Sequence, residues 1–426
     1  MIRILDSALL PVSEILRREN AVSNVTGAVA SILSEVRERG DEAVREFTER
    51  FDRTKLDSFE LTPEEYAEGA AKADPELVAV MEKAAENIRD YHSRQVRTGY
   101  VSKQTDGIML GQRVSGLARV LLYVPGGTAR YPSTVLMNAI PASLAKVGEI
   151  IMTTPPSADG TVPPAILAAA KIAGVHRVFK LGGAQAVAAF AYGTESVPRV
   201  DKIVGPGNAY VAEAKRQVYG TVAIDMIAGP SEILVVSDGK NEPRVLAADL
   251  LSQAEHDKNA TAVLVTVSRA EAEAVSAELE RQIPLLPRAE IARASVDVNG
   301  KIIIVPDVET AIGISNALAP EHLELAVEDP FPLLNEVRDA GSVFLGRNCP
   351  EPLGDYFAGT NHTLPTGGTA RFSSPLSVDD FYKKTSFTFY SPEALDAVCG
   401  DVAYFARAEG LEAHARSALS RRNENE

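Results

Sequence analysis

The chain has 426 residues, 45% of them hydrophobic, with 43 basic and 58 acidic side chains and a formal net charge of -15. That length and apolar content suit two or three domains with sizeable cores. The acidic balance argues against nucleic acid or an anionic membrane as the main partner and leaves a small-molecule function as the default.

The N-terminal segment, residues 1–20, is broken by Asp6, Pro11 and Glu14, so it lacks the apolar stretch of a secretory signal. No later run reaches the length of a membrane span. Cys349 and Cys399 are far apart and form no CxxC, which indicates neither a disulfide framework nor a thiolate zinc site. A cytoplasmic protein is expected.

Residues 25–52 and 75–96 carry apolar positions at helical spacing with charged faces between them. They should cover a sheet rather than supply one. From residue 119 to 231 short apolar runs, "RVLLYV", "EIIMTT", "RVFKL", "VDKIVG" and "VAIDMIAG", alternate with small-residue helical segments. Near-continuous apolar strands alternating with helices signify a parallel sheet covered on both faces, a doubly wound α/β unit. The alternation repeats after residue 231 with "EILVVS", "TAVLVTVS", "GKIIIVP", "HLELAV" and "GSVFLG". The expected architecture is therefore two doubly wound, Rossmann-like parallel-sheet domains. One comprises residues 21–118 plus 232–376, including the helical N-terminal part, and the other residues 119–231. A C-terminal tail, 377–426, carries two short helices broken near Gly410; with few core residues of its own, it should pack on something else, such as a second subunit.

Three strand-to-helix turns are glycine-rich: "YVPGGTARYPS", "KLGGAQAV" and "VGPGNAYV". Glycine there either lets a phosphate approach a helix N-terminus or merely permits tight packing. None matches GxGxxG followed by an acidic residue about twenty positions on. In "LLSQAEHDKN", Gln253 and His256 share one face of an acidic helix end, which taken alone reads as solvated surface. "LAPEHLEL" sets Glu321 beside His322 just before a strand. An acid beside an imidazole suits general base chemistry, but ligands of open α/β sheets bind at the other, carboxyl, end of the strands, so the pair also reads as loop surface. The long loop over 351–378 holds Asp355, a hard oxygen donor, and His362 in a Gly-, Pro- and Thr-rich setting typical of functional loops. His92 and His176 read as structural or surface residues.

Taken together, these blocks resemble the histidinol dehydrogenase family. "AIDMIAGPSEILVVSD" (223–238) is its most diagnostic stretch, and "LYVPGG", "GGAQAVAA", "VGPGNAYV", "DLLSQAEHD", "APEHLEL", "GDYFAGTNHTLPT" and "EGLEAHARS" follow in the family's order, from near residue 20 into the tail. The resemblance implies oxidation of L-histidinol, by way of the aldehyde, to L-histidine with two NAD+ and water. It implies one zinc per subunit held by Gln253, His256, Asp355 and His414 of the partner subunit, in a homodimer with shared active sites. His322 would be the principal proton acceptor and Glu321 would activate water. Ser231, His322 and Glu409, together with the zinc ligands, would contact substrate, and Tyr123, Gln185 and Asn208 would contact NAD. Relatives lacking histidine synthesis oxidise other α-substituted primary alcohols with the same zinc and NAD. The retained "EGLEAH" tail favours histidinol.

Overall fold

A computed structural model describes residues 1–9, 25–126 and 131–422. The end of the N-terminal segment, and Gly127 to Arg130 of the first glycine-rich turn, lie outside the described residues.

The strands are β1 (Arg3–Asp6), β2 (Tyr100–Thr105), β3 (Ile108–Gly116), β4 (Arg119–Tyr123) and β5 (Glu149–Thr153). There follow β6 (Arg177–Phe179), β7 (Lys202–Val204), β8 (Ala223–Ile224), β9 (Glu232–Ser237) and β10 (Thr261–Thr266). The last are β11 (Lys301–Ile304), β12 (His322–Ala326), β13 (Ser342–Leu345) and β14 (Tyr382–Tyr390). Two parallel sheets form as the apolar runs predict. One has the order β6-β5-β4-β7-β8 and the other β1-β11-β10-β9-β12-β13. Every residue of β9, β10 and β12 is buried, because helices cover both faces and leave no face to be polar.

The helices find partners that periodicity cannot assign. The expected grouping put the N-terminal helices with the sheet of residues 232–376. In the structure Thr26–Arg39 and Asp41–Asp52 pack through Val29, Leu33, Val44 and Phe47 onto Leu121, Ile151 and Phe179 of the β4–β8 sheet. Pro75–Ser93 covers the opposite face of that sheet through Met81, Ala85 and Ile88. The physical reason is that an apolar stripe specifies burial but not the surface that buries it. The six-stranded sheet is instead covered by Pro243–Ala254, Arg269–Gln282 and Ala289–Val298 on one face and by Val308–Leu318 on the other.

Residues 1–118 also supply strands, outside the two stretches read as helical. β1 extends the six-stranded sheet beside β11, and β2 and β3 form an antiparallel hairpin. The tail contributes β14, which runs antiparallel along β3 in full register from Tyr382 opposite Gly116 to Tyr390 opposite Ile108. Its helices, Pro392–Ala408 and Glu412–Leu419, break at Gly410 with φ 81°.

Candidate active site

The amino ends of β9 and β12 lie side by side, with His322 in register with Ile233. This pairing brings Glu321 against Glu232, whose backbone N–H donates to Glu321 Oε2 at 2.8 Å. His322 Nδ1 lies 2.9 Å from the Glu232 carbonyl oxygen. A carbonyl can only accept, so Nδ1 carries the proton and the neutral ring presents Nε2 as its basic atom. Nε2 is buried without a hydrogen-bond partner, 3.6 Å from Glu351 Oε1 and 3.7 Å from Asp355 Oδ1. The acid–imidazole pair is therefore no loop surface. The carboxyl-edge rule misplaced it because neighbouring elements of the same unit enclose the amino edge of this sheet.

Those elements come from three places. The helix Pro243–Ala254 ends beside the strand start and delivers Gln253 in its last turn, with His256 just beyond. Gln253 is 1% exposed, and neither atom of its amide makes a hydrogen bond. The short helix Pro352–Tyr356 carries Asp355, and Glu351 precedes it. Gly354 allows this helix to press on Phe344, since a Cβ there would lie 2.7 Å from the Phe344 ring. That ring in turn packs against the imidazole of His322, with 6.2 Å between centroids. Ser231 sits immediately before β9, its carbonyl accepting from Thr261 N. His362 is largely enclosed rather than solvent-facing: Nδ1 meets the Asp355 carbonyl at 3.0 Å and Nε2 meets Thr134 Oγ1 at 3.1 Å.

Charge is concentrated here with one sign. Burial pushes Glu321 up to about 8 and Glu351 up to about 7. Burial would lower His322, but Glu321, Asp355 and Glu351 overcome it and carry the imidazole up to about 10. Burial would raise Asp355, yet the His322 and His362 side chains hold it below the ordinary carboxylate value. Behind Glu351, Glu324 accepts from its backbone N–H at 2.7 Å and is itself raised by burial and by Asp249. For His322 to act as a base, positive charge must be added beside these carboxylates. Buried carboxylates, an unpartnered amide and unpartnered imidazole and carboxylate atoms form a donor set that a divalent cation satisfies. His322, Glu351 and Asp355 present ligand atoms within 4.8 Å of one another. His256 is lowered by burial and so held neutral, the form that binds metal. Glu351 went unread in the sequence: nothing in "NCPEPLGD" distinguishes a helix-start glutamate from a surface one.

Tyr123, Gln185 and Asn208 lie at the carboxyl edge of the other sheet. Tyr123 and Gln185 are buried, and the Tyr123 hydroxyl accepts from Gly183 N at 3.0 Å. Asn208 caps the helix Ala209–Val218 by accepting from the backbone of Tyr210 and Val211. Tyr123 and Gln185 lie beneath the glycine-rich turns, whereas Asn208 is exposed. A Cβ at Gly126 or at Gly182 would collide with the Pro155 ring, so the first two turns both pack against this residue just beyond β5. Glu409 and His414 are exposed on the tail, whose two helices pack on each other. Among the described residues no hydrogen bond or ion pair joins either side chain to the cluster around His322.

The family model for histidinol dehydrogenase matches residues 15–422. The histidinol dehydrogenase of Geobacillus kaustophilus (strain HTA426) is 54% identical over 399 residues, 94% of each chain. That of Bacillus subtilis (strain 168) is 54% identical over 393 residues, 92% of each. The crystal structure of histidinol dehydrogenase from Elizabethkingia anophelis superimposes with a TM-score of 0.92 at 35% identity, covering 99% of this chain and 98% of that one. The chain belongs to the histidinol dehydrogenase family. Its activity is the NAD-dependent oxidation that defines the family, and the family's zinc suits the donor set found around His322. No helix among the described residues is long and apolar enough to cross a membrane.

Proposed function

We propose that the chain oxidises L-histidinol to L-histidine through L-histidinal, with His322 and Glu321 as its two bases, in the cytoplasm and as a homodimer. The observation that carries this reading is the orientation of His322. Its Nδ1–H is held by the Glu232 carbonyl, which leaves Nε2 to accept the proton of a bound hydroxyl. NAD+ is the hydride acceptor in both oxidations. Glu321, raised by burial toward neutral pH, takes a proton from the water that adds to the aldehyde. Ser231, beside the pair, and Glu409 contact the substrate. Gln253, His256, Asp355 and His414 of the partner subunit would hold the zinc, which would supply a Lewis-acid anchor for the substrate's amine and imidazole. Tyr123, Gln185 and Asn208, one from each glycine-rich turn, contact NAD+.

The subunit arrangement has its own support. The tail exposes Val402, Tyr404, Phe405 and Leu411, and β14 exposes Phe387 and Phe389. An apolar face of that extent beside Glu409 and His414 suits a second copy of the chain. The test of the whole reading is stoichiometric: two NADH formed per L-histidinol consumed, lost with a chelator and restored by zinc. One NADH per substrate, or indifference to chelation, overturns it.

A further inference from the structure

Asp52 is the last residue of the helix Asp41–Asp52, where the chain turns away through Arg53 at φ 55°. Three features make its carboxylate costly. It sits at the negative end of a helix dipole. It is half-buried, and burial alone pushes it up to about 6, with no cation drawing it back. Among the described residues its one side-chain hydrogen bond is a long one, 3.5 Å from Gln185 Nε2, while Gln185 Oε1 is buried with no partner. A group held at such expense by so weak a structural contact marks a functional position.

Its surroundings name the ligand. Gln185 belongs to the helix that follows β6, the edge strand, and Tyr123 ends the central strand β4 and feels the Asp52 charge. The crevice between β4 and β7, where the strand order reverses, is where a dinucleotide enters a doubly wound sheet. The Thr134–His362 contact ties the catalytic cluster to the helix following β4, so the nicotinamide half of a dinucleotide is directed there and the adenosine half toward β5 and β6. A bare carboxylate on that side accepts hydrogen bonds from ribose hydroxyls and repels a phosphate.

Resting on the NAD reading above, we propose that Asp52 is a specificity-determining residue that binds the adenosine ribose of NAD+ and excludes the 2′-phosphate of NADP+. It performs from a helix C-terminus the task that other dinucleotide folds give to an acid at a strand end.

Titration calorimetry of the zinc-loaded protein with NAD+ and NADP+ separates the outcomes. Wild type should bind NAD+ with at least about a hundredfold preference. Asp52→Ala should weaken NAD+ about tenfold, and Asp52→Asn, which keeps an acceptor and removes the charge, should retain most NAD+ affinity while gaining NADP+. Both variants should melt at or above the wild-type temperature, because an unpaired carboxylate is being removed. Unchanged affinity ratios in both variants, or lowered melting temperatures with ratios intact, overturn the assignment, as does wild type that binds both dinucleotides equally. Wild type that binds neither overturns the NAD reading instead.

Discussion

Lys215 and Asp225 form an ion pair whose side chains are 2% and 1% exposed, with 2.5 Å between Nζ and Oδ1. The pair clamps one turn. Lys215 Nζ donates to the Gly205 carbonyl at 2.9 Å, and Asp225 Oδ2 accepts from Gly205 N at 2.7 Å. Asp225 Oδ1 also accepts from Met226 N at 2.6 Å. Gly205 itself has φ 107° and touches the Tyr123 carbonyl so closely that no side chain fits. Asp225→Asn leaves a buried ammonium without its counter-charge, which costs about 3–5 kcal/mol. At about 2–4 °C per kcal/mol for a unit of 150–250 residues, the first thermal transition should fall by roughly 6–20 °C. Lys215→Met should be comparably damaging. The double variant, with no charge left to strand, should recover about 2 kcal/mol relative to the sum of the singles. Calorimetric scans of the three proteins measure this directly. Additive losses, or an Asp225→Asn transition within 2 °C of wild type, would show that the pair is not the clamp its geometry describes.

Glu321→Gln, which cannot take a proton from water, should slow conversion of L-histidinal more than that of L-histidinol, whereas His322→Asn should damage both. Equal losses for Glu321→Gln on the two substrates would remove its separate role. His256→Ala and Asp355→Ala should each lose zinc by atomic absorption while retaining their circular dichroism; full metal content in either would refute the ligand set. Because burial lowers the His256 pKa, protons compete for its ring only as pH falls below the ordinary imidazole value of about 6.5. Apparent zinc affinity should therefore stay flat down to that point and decline beneath it, and a decline already under way at pH 8 would contradict the site. Re-equilibrated mixtures of His414→Ala with His256→Ala should recover up to about a quarter of wild-type activity if sites are shared between subunits, since half the dimers are mixed and each has one intact site. No recovery despite proven subunit exchange would place all ligands in one chain.

The strands of both parallel sheets were legible because burial on two faces turns them into apolar runs such as "EILVVS" and "TAVLVT". β14 was not, since "YKKTSFTFY" is exposed along nearly its whole length and offers neither an apolar run nor a one-sided alternation. β1 is four residues long, shorter than any periodicity test can use. In the site, Glu321 and His322 were visible as a pair because they are neighbours in sequence. Their burial was not, because it depends on register with Glu232 ninety residues earlier and on Glu351 in a loop. For the same reason the residues named as NAD contacts could be placed on turns, while the inward direction of Tyr123 and Gln185 could not be read. Sequence spacing reports what one element can present; convergence is a property of the packing between elements.

That packing also bears on how two oxidations can share one pair of bases. The loop carrying His362 is stitched to the helix Pro132–Leu144 of the other sheet: Asn361 Nδ2 donates to the Met137 carbonyl at 2.7 Å, Thr363 Oγ1 donates to Asn138 Oδ1 at 2.9 Å, and His362 meets Thr134. Farther along, Lys202 of β7 pairs with Asp380 at 3.0 Å, and Leu376, Val378 and Phe381 join the core of the β4–β8 sheet. Buried hydrogen bonds of this kind are costly to leave unmade, so the two sheets resist sliding past one another. The amino edge that holds His322 is therefore set against the carboxyl edge that holds the glycine-rich turns by packed side chains. If Glu321 and His322 are the two bases proposed above, an aldehyde formed between these edges would stay within reach of both while the dinucleotide is exchanged, because the packed sheets hold the two edges in one arrangement.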